Sequence, residues 1–110
     1  MIEDRIYRIE ARIHQAKSIS PEARGELLSL LAALKEDLKA LPPANREDAE
    51  SIARFAEASA HEATREDRKP ELAETALTGL QQAAAEFRIA HPKTAGIINR
   101  IALILSNMGM

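Results

Sequence analysis

Glu57, His61 and Glu62 are the residues of this chain whose types best suit a divalent metal, and two of them open the segment HEATREDRKP at 61–70. A zinc hydrolase helix needs two histidines at i and i+4 on one face, with the intervening Glu as base. Here Arg65 stands at i+4 from His61 and would set a cation against the metal. A di-iron bundle instead needs Glu-x-x-His pairs pointing inward from two helices. The residues three before His14, His61 and His91 are Ala11, Ala58 and Arg88, so no such pair exists. His61 also lies nine residues after Ile52; nine steps of 100° bring it about 180° from the apolar side of that helix. The reading is a solvated ridge in which Glu57, His61 and Arg65 form an exposed i, i+4 ladder. No metal or cofactor is expected, and His61, Glu57 and Glu62 are the candidates were one to bind.

Other chemistries find less. Cysteine is absent, which excludes thiolate catalysis, disulfides and cysteine-ligated zinc or iron–sulfur sites. No Gly-x-Ser-x-Gly elbow occurs, and Gly25, Gly79, Gly96 and Gly109 are too scattered to cradle a phosphate. His14, beside the first apolar stripe, reads as a boundary residue, and His91, before Pro92, as a corner residue. Tyr7 reads as packing. The expectation is a protein that is not an enzyme.

Charge narrows the partners. Fifteen basic and seventeen acidic residues leave a net charge of −2, with no general attraction for nucleic acid. The strongest basic cluster, Arg5, Arg8 and Arg12, is interleaved with Asp4 and Glu10. Residues 42–90 hold six basic and ten acidic side chains, whereas residues 91–110 hold Lys93 and Arg100 with no acid. The opening MIEDRIYRIEAR carries charges every few positions and reads as neither signal peptide nor membrane anchor. A cytoplasmic protein without nucleic-acid partner or transmembrane segment is expected.

Composition sets the elements that must position these groups. The 110 residues include 21 alanines, 12 leucines and 11 isoleucines, but no valine and only three aromatic rings. That favours helix over strand. Apolar residues step by three and four at Ile2, Ile6, Ile9, Ile13 and Ala16, and again at Leu27, Leu31, Leu34, Leu38 and Leu41. Ala49, Ile52, Ala56, Ser59 and Ala63 form a thin third stripe with Phe55 on its rim; Ala73, Leu77, Leu80, Ala84 and Phe87 form a fourth. Ser20 with Pro21, Asn45 with Asp48, and Asp67 with Pro70 read as helix starts, while Pro42, Pro43, His91 and Pro92 read as interruptions. Helices are therefore expected over about 2–17, 21–41, 46–66, 70–90 and 93–108, ending before Gly109. The predicted fold is all-α: antiparallel helical hairpins forming a four- to five-helix bundle with coiled-coil-like packing, in one domain. In the last helix, Ile97, Ile98, Ile101, Ala102, Ile104, Leu105 and Met108 fill an arc of about 160°, with Leu103 outside it. Such a face must be covered on more than one side. Ile97, Ile98, Ile101, Leu103, Ile104, Leu105 and Met108 are thus the expected interaction residues, and a homodimer or another protein partner the expected assembly.

Three blocks carry a resemblance: ISPEARGELLSLLAALK at 19–35, SIARFAEASAHEATREDRKPEL at 51–72 and HPKTAGIINRIALILSNMGM at 91–110. Together they resemble a small uncharacterised bacterial family of helical proteins whose chains end in His-Pro, then Asn-Arg-Ile, then Leu-Ser-Asn-x-Gly. Members often carry an aliphatic residue where Thr94 stands and end in Gly-Ile where this chain ends in Gly109 and Met110. The resemblance implies a helical protein and assigns no activity, ligand or site residue. From the residues themselves the expected function is a non-enzymatic interaction or assembly protein acting through its packing surfaces and last helix. A ligand- or metal-binding bundle using the His61/Glu62 segment is the alternative.

Overall fold

Helix punctuation lies where the prolines and one serine put it. The structure is a computed structural model describing residues 2–108, in which α1 spans Ile2–Gln15, α2 Pro21–Lys39, α3 Arg46–Thr64, α4 Pro70–Phe87 and α5 Pro92–Met108. A 3₁₀ turn, Pro43–Asn45, precedes α3. Prolines open α2, α4 and α5, where a missing amide costs no helical hydrogen bond. The Ser20 hydroxyl accepts from the Ala23 amide at 3.1 Å and caps α2.

Two other expected caps are corrected. Asn45 closes the 3₁₀ turn and makes no side-chain cap, and the residue preceding α4 is Lys69, not Asp67. Asp67 instead pairs with Lys69 at 3.0 Å. The first four helices end two or three residues before the expected bounds. At α1 the reason is visible: Arg24 reaches back from α2 and donates to the carbonyls of Ile13, of His14 at 2.9 Å and of Ala16 at 2.8 Å. A guanidinium there satisfies carbonyls that have no helical partner and complements the negative end of the helix. Gly109 and Met110 lie outside the described residues.

The stripes are buried at their centres, while Ala73 and Leu77 of the fourth are half-buried. Ile6, Ile9 and Ile13 of α1 and Leu27, Leu31, Leu34 and Leu38 of α2 are at most 3 % exposed, and each such side chain contributes about 1.5–3 kcal/mol on burial. The protein is an all-α bundle in which α1 and α2 form one antiparallel hairpin and α3 and α4 another. Neighbouring helices run in the order α1, α2, α5, α4, α3 and back to α1, and α3 also meets α5. Two helices therefore have three neighbours, α3 and α5. Each meets that demand differently. Along α3 the buried residues are Ala49, Ile52, Ala53, Ala56, Ser59, Ala60 and Ala63, small enough to let several backbones approach. In α5 the broad apolar arc supplies the width, with Thr94 at its start donating its hydroxyl to Asp37 of α2 at 3.0 Å.

Candidate interaction surface

The ridge around His61 occupies the last turns of α3. His61 is exposed, and its Nε2 lies 3.9 Å from a Glu62 carboxylate oxygen. Arg65 pairs with Glu62 at 3.0 Å. Glu57, by contrast, does not join His61 and Arg65 in an exposed ladder. It faces α1, where Arg8 donates to it at 2.7 and 3.3 Å and Arg5 at 2.7 Å. Arg8 and Arg5 together hold its carboxyl below the usual carboxylate range. Arg12, one turn further along, reaches the Thr64 hydroxyl at 3.5 Å. The stripe Arg5, Arg8, Arg12 thus clamps α1 to the edge of α3. Its spacing of three and four beside the isoleucine stripe was the available signal; the partner was invisible because it lies 49 to 52 residues away. Among the described residues no three His, Cys, Asp or Glu side chains converge as a metal site would require.

His91 and Tyr7 pack on the scaffold. His91 stacks on Phe87 with centroids 4.6 Å apart, and its amide donates to the Phe87 carbonyl at 2.9 Å, bracing the α4–α5 corner. Lys35 sits 4.4 Å over the face of Tyr7. His14 is exposed and contributes only its carbonyl, to Arg24.

The expected interaction face of α5 is turned inward. Ile98, Ile101, Ile104, Leu105 and Met108 are buried within their own chain and Ile97 is half-buried. Leu103 alone among the seven is exposed, at 47 %. The apolar arc is wide because α2, α3 and α4 cover it from three sides, not because a second chain must. Arg100, on the outer side, makes a two-pronged pair with Glu26 of α2 at 2.7 and 3.1 Å and holds that carboxyl below its usual range.

A different surface remains open, along the seam of α3 and α4. Asp48, Ser51 and Phe55 line it from α3, and Gly79, Gln82, Ala83, Glu86 and Phe87 line it from α4, around a hollow of about 280 Å³. On the other side of Phe55, a shallower hollow of about 590 Å³ continues past Glu71, Glu74, Thr75 and Thr78. Phe55 is 40 % exposed and stands between the two hollows. Its ring rests on Gly79, where any Cβ would collide with it. No Lys or Arg lines either hollow, and α4 contains none from Pro70 to Phe87. The carboxylates of Asp48, Glu71, Glu74 and Glu86 make no ion pair among the described residues. Sequence reading placed Phe55 on a rim but missed the groove, because α4's polar stripe of Glu71, Thr75, Thr78, Gln82 and Glu86 reads as ordinary solvated surface until α3 is set beside it.

Fold and surface together define the class: an all-helical bundle with an acid-rimmed groove around one exposed aromatic ring between two of its helices. Over residues 27–110 the chain matches the family described as Domain of unknown function (DUF4404), and it belongs to that family. The match contains α3, α4 and α5 entire, and therefore every residue of the groove, while α1 lies before it. No curated protein and no solved structure matches the chain.

Proposed function

We propose that this protein is a non-enzymatic helical interaction module of the cytoplasm whose contact surface is the α3–α4 groove around Phe55. The observation that carries the reading is an exposed aromatic ring standing between two hollows. Exposed aromatic rings beside concave, partly apolar surface are what interfaces use as anchors. The chemistry-bearing side chains support the same reading: Glu57 and Glu62 are occupied by arginines, and His61 lies exposed beside Glu62 on the outside of α3. Among the described residues no helix is long and apolar enough to cross a membrane.

Site-specific photo-crosslinking in the native cell tests the proposal. A crosslinking residue at Ser51 or Gln82, in the groove, is expected to give a discrete protein adduct, whereas one at Ser29 or Ala32, exposed on α2, is not. Adducts from all four positions alike, or from none, would remove the groove as the working surface. Sedimentation of the purified chain at several concentrations separates a second copy from a different partner.

A further inference from the structure

The groove's charge assigns the chemistry of what fills it, an inference that rests on its being the contact surface. We infer that it takes a cationic amphipathic helix of a partner protein, laid along α4 with apolar side chains seated on either side of Phe55. The four unpaired carboxylates sit at both ends of the groove: Asp48 and Glu86 beside the smaller hollow, Glu71 and Glu74 beside the larger. From Glu71 to Glu86 is 15 residues of α4, about 22 Å, or the length of a four-turn helix. Amphipathic helices dock in such grooves through apolar anchors at i, i+3 or i+4, and i+7. Phe55 offers an apolar face to both hollows, with Ala83 and Phe87 beside it in the smaller one, and lysines or arginines on the flanks of the docked helix reach the carboxylates.

The same carboxylates repel phosphate, so neither nucleic acid nor an anionic membrane suits this surface.

The test uses a synthetic, fluorescein-labelled helical peptide of leucines at i, i+3, i+4 and i+7 with lysines elsewhere, and its twin with every lysine replaced by glutamine. The full chain is titrated against both by fluorescence anisotropy. The lysine peptide is expected to bind wild type, and to lose about tenfold in affinity when Asp48→Asn, Glu71→Gln, Glu74→Gln and Glu86→Gln are combined, since each exposed pair contributes only a few tenths of a kcal/mol. A control with the same net charge, Glu10→Gln, Glu22→Gln, Glu36→Gln and Glu66→Gln, should bind as wild type does. Equal loss in both variants, equal binding of the two peptides, or no binding to wild type would overturn the inference. Groove-specific crosslinks persisting alongside any of these results would leave the contact surface standing and reject only the cationic occupant. Circular dichroism of both variants excludes misfolding as the cause of a loss.

Discussion

The ring of Phe55 lies across the backbone of Gly79, so close that a methyl group at position 79 would fall inside it. Gly79 sits mid-helix, where glycine is less favourable than alanine by about 0.8–1.0 kcal/mol; the close approach of the ring is what favours it. In a Phe55→Ala background, Gly79→Ala should therefore stabilise the fold by about that amount, while in wild type the gain should shrink or reverse as the ring is pushed outward. Urea unfolding of the four members of this cycle measures the coupling. A gain of the same size in both backgrounds would mean that the ring does not rest on the glycine.

Glu57 links α1 to α3 through Arg8 and Arg5, and its carboxyl is held below the ordinary value of 4.5. A carboxyl depressed in the folded state contributes stability that is present above about pH 4.5 and is lost as pH falls below it toward the folded value. Glu57→Gln should cost about 0.5–1 kcal/mol at neutral pH, the range for partly solvated pairs, because Arg8 is 55 % exposed. It should also flatten the acid side of the melting-temperature profile between pH 3 and 5. A variant whose acid loss parallels that of wild type would show that other carboxylates govern it.

Ser59 is 1 % exposed, and its hydroxyl makes no hydrogen bond. A buried hydroxyl without a partner is a cost that alanine removes, and alanine is also the better helix former. Ser59→Ala is accordingly expected to raise the free energy of unfolding by about 1–2 kcal/mol, read from the denaturant midpoint at constant slope. A loss on substitution would point to a bound water or a role outside stability.

Two residues of α5 separate core from surface. Ile101 is 1 % exposed and Leu103 47 %. Ile101→Ala should destabilise by about 2–5 kcal/mol, whereas Leu103→Ala should stay within about 0.5 kcal/mol. Similar costs at both positions would mean that Leu103 is covered in solution, by a second chain, and would restore the last helix as an interface.

Much of the scaffold was legible because it depends on neighbours in sequence. The steps of three and four at Ile6, Ile9 and Ile13 fix which side of α1 is apolar, and Ser20 with Pro21 marks the start of α2 through contacts within one turn. Asp67 was misread for the same local reason: an acidic residue before a proline resembles a cap, but its carboxylate takes Lys69 instead. The role of Arg24 is not legible locally, because the carbonyls it caps lie at and just past the end of α1, 8 to 11 residues earlier.

What the sequence determined by itself was the helical state, the apolar stripes and the absence of cysteine chemistry, since these follow from propensity, period and composition. It also showed that the last helix needs cover on several sides. Only the tertiary structure decided who provides that cover, turning Ile98, Ile101 and Leu105 toward three helices of the same chain. It likewise decided that Glu57 faces arginines rather than His61, and that the exposed ring of Phe55 lies over Gly79 between unpaired carboxylates. Helical phase specifies the direction in which a side chain leaves its own axis. Which neighbour it then meets depends on the order in which five helices close around one core, and no local pattern encodes that order.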